Sequence, residues 1–185
     1  MVTVRLGLDL LVSLVSKVST QVCGSCRASS NLVRHPIMKM KIYVAGPFFS
    51  KEERALMNRL QAHLFEFYSP KDFEFFFPMD HFVPGGESLE NSRWARCVYE
   101  GDIEALDTAD LVLAVYHGHY SDSGTAFEIG YATAKGIPIG VLVVDGHIDH
   151  SLMVLSSEMC TVYDFNKFVE GESDCEIDVR LLNQK

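Results

Sequence analysis

The sequence predicts an α/β protein with a doubly wound, mainly parallel five-stranded sheet and helices on both faces. Short β-rich runs alternate with helical patterns of ten or more residues from residue 41 onward, which is typical of right-handed βαβ units. The run ADLVLAVYHG, residues 109–118, is continuously apolar between turn signals, as expected of a strand that is buried on both faces.

The first predicted strand is KIYVAG, residues 41–46, and a Gly-Pro turn closes it. The helix that follows begins at a capping box, because Ser50 stands three residues before Glu53. Its apolar side chains recur at helical spacing, at Leu56, Leu60, Leu64 and Phe67. The run FEFFFP, residues 73–78, is the second predicted strand.

A helical pattern starts near Ser92 and leads into the apolar strand of residues 109–118. A further helix follows Asp122, and the last two strands are predicted at residues 137–144 and 160–165. Parallel sheets of this kind bind ligands beyond the carboxyl ends of their strands, where the strand order reverses. We therefore expect a site formed by the segments Gly46–Ser50, Pro78–Asn91 and His117–Glu128.

The 185 residues suffice for one well-buried domain, which we place at residues 40–168. Residues 1–39 are predicted to be a poorly ordered extension, and residues 169–185 an acidic tail. The extension contains one Cys-x-x-Cys pair, Cys23 and Cys26, which alone is a weak redox or metal signal.

Composition and charge exclude several classes of function. A net charge of −9 argues against a nucleic-acid surface, which needs clustered Lys and Arg. No apolar run approaches the roughly 20 residues that span a bilayer. The five cysteines form no dense framework, so we expect a reducing cytoplasm. We predict no metal, because His117, His119, His147 and His150 lack ligand spacing, and no cofactor, because AGPFFS lacks a nucleotide-binding motif.

Two carboxylates each allow two interpretations. Glu128 in DSGTAFEIGYATAKG fits a capping box with Thr125, yet it also stands at the mouth of a buried strand, where sites form. Asp102 shares a helix face with Leu106 while Asp107 turns away, although exposed acidic residues are common on helices.

Four segments in order, KIYVAGPFF, YEGDIEALDTADLVLAVYHG, DSGTAFEIGYATAKGIPI and SLM, resemble the nucleoside 2-deoxyribosyltransferase family over roughly residues 40–168. The resemblance implies a flavodoxin-like (Rossmann-like) sheet and a retaining ping-pong exchange of 2-deoxyribose between nucleobases. It implies that Glu128 is the nucleophile, that Asp102 handles the proton of the base, and that Tyr43 holds Glu128. No nucleic-acid or membrane partner is expected, only 2′-deoxynucleosides and free bases.

The resemblance also implies a set of substrate-binding residues. Asp122 matches the residue that binds the sugar 5′-hydroxyl, Phe48 lies beside the base, and Gly124 leaves room for the sugar. The other implied positions are Gly46, Ser151 and Met153. Family members use the last segment to complete the site of a neighbouring subunit, which implies a homo-oligomer, a hexamer built from dimers.

The sequence departs from the family at two places. Ser151 stands where members commonly have Asn, and the loop PMDHF offers His81 and Phe82 where many members place an amide against the base. A 2′-deoxynucleoside 5′-monophosphate N-glycosidase is an alternative, because Ser151 would suit a phosphate. A carboxylate at Asp122 argues against it, since it would repel a phosphate dianion. A non-catalytic nucleoside-binding module is the other alternative.

Overall fold

The computed structural model describes residues 39–118, 122–144 and 151–179. The predicted extension lies outside the described residues except for Lys39, as do Cys23 and Cys26. The same is true of His119, His147 and His150. No helix in the described part of the chain is long and apolar enough to cross a bilayer.

Six strands form one sheet in the order β2-β1-β3-β4-β5-β6. The first five are parallel and the sixth is antiparallel. The strands are β1 (Met40–Ala45), β2 (Phe73–Phe76), β3 (Leu111–Tyr116), β4 (Ile139–Val143), β5 (Cys160–Asp164) and β6 (Glu176–Ile177). The described helices are α1 (Lys51–Phe67), α2 (Asn91–Asp107), α3 (Ser123–Lys135), α4 (Leu152–Leu155) and α5 (Phe165–Glu170).

The predicted α/β class and the five predicted strands are confirmed. The sixth strand was not predicted, because a strand of two residues is too short to show an alternating pattern. The predicted tail begins inside α5, and Cys175 within it is buried against the core. Chain beyond residue 168 therefore contributes to the packing of the sheet edge.

Alternating side chains of the strands divide the core into two layers. On one face Ile42, Val44 and Leu113 pack against apolar residues of α1 and α5. On the other face Tyr43 and Val112 pack against residues of α2, α3 and α4. The central strand β3 is buried at every position, as its unbroken apolar sequence predicts.

Local chemistry fixes the ends of two helices that flank the site. The predicted capping box of α1 is confirmed, since Ser50 Oγ accepts from the Glu53 backbone and Glu53 accepts from the Ser50 backbone. Helix α3 ends at Gly136, which has a left-handed φ of 71°. Only glycine adopts that conformation without a steric cost from Cβ.

We expect alanine to act oppositely at two glycines of α3. Gly136→Ala should destabilise the protein by about 1 kcal/mol, because its φ is left-handed. Gly130→Ala should stabilise it by about 0.5–1 kcal/mol, because Gly130 lies in the helix interior and its Cβ would meet nothing within 4 Å. Denaturant unfolding measures the free energy of unfolding of both variants. A change of the same sign in both would contradict the assigned helix end.

Candidate active site

The candidate site lies beyond the carboxyl ends of β1 and β3, where the strand order reverses. Gly46 follows β1 and is buried, and a Cβ there would lie 2.6 Å from Met57 Sδ. The missing side chain thus lets α1 approach the end of the strand. Phe48 is half-buried and stacks on Phe49, with 4.9 Å between ring centroids, and Phe49 is 72% exposed.

A hydrogen bond joins β1 to α3 at the centre of the site. The Tyr43 hydroxyl donates to Glu128 Oε1 at 2.6 Å. Tyr43 is fully buried, and its ring stacks on Phe76 at 5.4 Å between centroids. The two rings are neighbours because Tyr43 and Phe76 are register partners in adjacent parallel strands. Strand pairing therefore fixes the hydroxyl that holds Glu128.

Glu128 lies on the apolar face of α3. Thr125, Ile129 and Ala132 are buried on that face at spacings of four and three residues, and Glu128 stands between the first two. The predicted capping box of Thr125 and Glu128 is wrong, because the helix begins one turn earlier, with Asp122 as its N-cap. Glu128 is therefore in the second turn and faces the sheet.

Asp122 caps α3 with both carboxylate oxygens. Its Oδ1 accepts from the Gly124 backbone N–H at 2.8 Å. Its Oδ2 accepts from the Thr125 backbone N–H at 3.0 Å and from Thr125 Oγ1 at 2.8 Å. A Cβ at Gly124 would lie 3.2 Å from Asp122 Oδ1, so the glycine makes room for the carboxylate. Oδ1 keeps capacity for a further donor.

Asp102 approaches the same cluster from α2. It shares a face with the buried Leu106, as predicted, while Asp107 turns outward and pairs with Lys135 at 2.7 Å. Asp102 Oδ1 is buried without a hydrogen-bond partner in the described structure. Burial raises the pKa of Asp102, and the charge of His81 lowers it in part. Asp102 is thus poised to hold a proton.

Burial also sets the protonation of Glu128. It raises the pKa of Glu128 to about 7, although the Tyr43 hydrogen bond favours the ionised form, and the charges of Asp102 and Asp122 raise it further. Burial and the Glu128 charge raise the pKa of Tyr43 far above its usual range, so Tyr43 stays a donor. The arrangement provides one carboxyl that ionises near neutrality and a second that can carry a proton.

In the predicted segment SLM, residues 151–153, Ser151 is half-buried and the other two residues are exposed. Ser151 precedes α4, and its backbone and hydroxyl donate to Tyr116 at the end of β3, which moderates the burial-raised pKa of Tyr116. Met153 is 92% exposed. Among the described residues, no cluster of three His, Cys, Asp or Glu side chains could hold a metal.

The structure brings Tyr43, Asp102, Asp122 and Glu128 into one electrostatic cluster. Sequence reasoning missed Phe76 and Tyr116, the two rings that support this cluster and Ser151. Phe76 lies in a run of phenylalanines that gives no sign of which ring faces Tyr43. In the sequence, nothing distinguishes Tyr116 from the apolar residues that precede it in the same buried strand.

Comparison with known proteins identifies the family. The family model described as Nucleoside 2-deoxyribosyltransferase matches residues 42–170, most of the chain. The chain therefore belongs to the nucleoside 2-deoxyribosyltransferase family.

The individual relatives are between 25% and 32% identical to this chain over the matched residues. The nucleoside deoxyribosyltransferase of Lactobacillus johnsonii is 31% identical over 91 residues, which are 44% of this chain and 60% of that protein. The enzyme of Limosilactobacillus fermentum is 32% identical over 115 residues, 58% of this chain and 67% of that protein. The solved 2-deoxyribosyltransferase of Bacillus psychrosaccharolyticus has a TM-score of 0.57 at 25% identity and covers 78% of this chain and 97% of its own. The match to the first relative thus spans less than two thirds of its length.

We expect the half-buried Glu128 to make the free energy of unfolding fall with rising pH. Its pKa is about 7 in the folded protein against 4.5 ordinarily, so the unfolded chain loses the proton first, and the free energy of unfolding decreases between these values. Glu128→Gln should therefore be more stable than wild type at pH 8, by up to about 3 kcal/mol, and the difference should shrink toward pH 5.

Denaturant unfolding at pH 5 and pH 8 measures this difference. Glu104→Gln removes an exposed carboxylate from α2 and controls for the loss of one charge. A Glu128→Gln gain that is the same at both pH values would contradict the buried-carboxylate account.

Proposed function

We propose that this protein transfers the 2-deoxyribosyl group from a 2′-deoxynucleoside to a free nucleobase, with retention of configuration. The observation that carries the proposal is the half-buried Glu128, held by Tyr43 at 2.6 Å beside a second carboxyl, Asp102, within a family of deoxyribosyltransferases. Such a pair of carboxyl groups suits covalent catalysis with proton transfer.

In the proposed reaction Glu128 Oε attacks C1′ as the C1′–N bond breaks. Positive charge that develops on the sugar is stabilised by the glutamate, and Asp102 gives its proton to the departing base. The acceptor base then loses a proton to Asp102 and attacks C1′ from the face that the first base left, which displaces Glu128. Two inversions give net retention, and Tyr43 orients the nucleophile throughout.

Asp122 favours a nucleoside over a nucleoside monophosphate as donor. Its carboxylate already accepts three donors from Gly124 and Thr125, and its Oδ1 can accept one more, from a 5′-hydroxyl. A phosphate at that position would face this anion and the nearby Glu128, which repel it at short range. Ser151, which would suit a phosphate, already donates to Tyr116.

We expect Glu128→Ala to lose transferase activity by at least about a thousandfold and to keep the fold, because it removes the proposed nucleophile. Wild-type protein incubated with deoxyinosine and no acceptor should carry a deoxyribosyl adduct on the peptide that contains Glu128, as read by mass spectrometry. Glu104→Ala is the matched control on an exposed helix face. Full activity in Glu128→Ala would refute the mechanism.

The donor class can be tested with deoxyinosine and deoxyinosine monophosphate, each with and without adenine. We expect deoxyadenosine from deoxyinosine with adenine, and no deoxyadenosine monophosphate from the other donor, since Asp122 repels its phosphate. Chromatography of the products measures both outcomes. Hydrolysis that needs no acceptor and occurs only with the monophosphate would instead identify an N-glycosidase.

We further propose that the protein is a homo-oligomer in which α4 meets a neighbouring subunit. Contiguous exposed apolar surface marks interaction sites. The support is a group of exposed apolar side chains on α2, α3 and α4, in which Tyr99 and Phe127 lie 6.3 Å apart between ring centroids. Its members are Tyr99, Phe127, Leu152 and Met153.

We expect Met153→Asp to reduce the assembled mass, measured by light scattering after gel filtration, because a charge cannot be buried there without a partner. Ser156→Asp, an exposed change at the end of the same helix, should leave the mass unchanged. A monomeric wild-type protein would contradict the shared site.

A further inference from the structure

The loop after β2 brings an unassigned imidazole to the helix that carries Asp102. A Cβ added at Gly101 would lie 2.8 Å from His81 Nε2, and all three of its nearest neighbours would be atoms of the His81 ring. The imidazole therefore occupies the space left by the missing side chain of Gly101. This contact is one residue away from Asp102 along α2.

The contact between His81 and Gly101 requires a glycine that lowers the stability of α2, which suggests that the contact has a function. Gly101 lies in the interior of α2, where glycine destabilises a helix by roughly 0.5–1 kcal/mol relative to alanine. His81 itself is exposed, so its contact with the helix buries little apolar surface in return. Simple core packing therefore does not account for the pair.

The ring is also continuous with the proposed catalytic cluster. His81 contacts Phe76 at 5.4 Å between centroids, and Phe76 stacks on Tyr43, which holds Glu128. The titratable groups that act on or with Asp102 come from three elements: His81 from the loop after β2, Tyr43 from β1 and Glu128 from α3. Only His81 among these can present a positive charge.

We propose that His81 is a positioning residue that acts through Asp102, because its imidazole lies against α2 at Gly101, one residue from that carboxyl. This inference rests on the proposed function. Burial favours the protonated Asp102 that gives its proton to the departing base, and a nearby imidazolium favours the ionised Asp102 that is left behind. The acceptor base supplies a second proton, which restores protonated Asp102 when the C1′–Oε bond to Glu128 breaks and the new C1′–N bond forms.

The test compares His81→Ala, His81→Gln, Gly101→Ala and the double variant His81→Ala/Gly101→Ala. The pKa of Asp102 is measured in the free protein by carbon NMR of labelled aspartate carboxyls, with Asp102→Asn to identify the signal. We expect it to rise by roughly half a unit to one unit in both His81 variants, because a nearby cation is lost. Gly101→Ala should raise it too, by displacing the ring. Lys71→Ala, which removes an exposed cation elsewhere, is the control.

The double variant decides whether Gly101 acts through the ring. If it does, adding Gly101→Ala to His81→Ala should leave the pKa of Asp102 unchanged. In the transfer assay, His81→Ala should lower kcat by about tenfold to a hundredfold with less effect on KM, and His81→Gln should restore part of kcat by refilling the space.

Two results would overturn the inference: an Asp102 pKa that does not respond to His81, or a Gly101→Ala effect that persists without the imidazole. Both are read without turnover. Absence of transferase activity in the wild type would instead refute the proposed function, whatever the NMR titration gives. Equal loss of kcat in His81→Gln and His81→Ala would contradict the positioning contact.

Discussion

The arrangement of the site depends on the hydrogen bond between Tyr43 and Glu128. A carboxylate buried without a donor is strongly disfavoured, so α3 can place Glu128 against the sheet only where β1 offers a hydroxyl. The hydroxyl in turn has a fixed position, because the Tyr43 ring is buried and stacks on its register partner Phe76. One hydrogen bond of 2.6 Å therefore connects the paired strands β1 and β2 to α3.

The start of α3 assigns to two residues the tasks of helix cap and site carboxylate, which the sequence pattern allows for Glu128 alone. Asp122 satisfies the first backbone N–H groups of the helix, so Glu128 is not needed as a cap. A capping glutamate would accept backbone donors, which lower a carboxyl pKa, as they do for Glu53 at the start of α1. Glu128 instead faces the sheet one turn later, and its pKa is raised to about 7.

The sequence was sufficient for the fold because its signals are long and regular. The apolar run of β3 and the amphipathic pattern of α1 each extend over several residues and admit one interpretation. The two-residue strand β6 carries no such period, and its pairing depends on contacts with β5 that no local pattern records. The segment predicted to be an acidic tail therefore adds the last strand to the sheet, and its Cys175 is buried.

The contacts at the candidate site were predictable only in part. Resemblance to the family implied that Tyr43 holds Glu128, and the structure adds the electrostatic coupling of both residues with Asp102. The helix start was misassigned because Asp122 and Thr125 are both good caps by type, and tertiary docking selects between them. The contacts of Ser151 with Tyr116 and of His81 with Gly101 join segments far apart in sequence, which no spacing rule could pair.

The crowding of three carboxyl groups has a consequence for the proposed chemistry. A Glu128 that titrates near neutrality loses its proton at little cost, and its anion is then the nearest partner for a cationic sugar. In the proposed reaction, the charge of Asp122 and the charge that Asp102 gains when it gives up its proton both favour positive charge on the substrate. The repulsion among the carboxylates is thereby relieved as the glycosidic bond breaks, so the same electrostatics that destabilise the empty site stabilise the transition state.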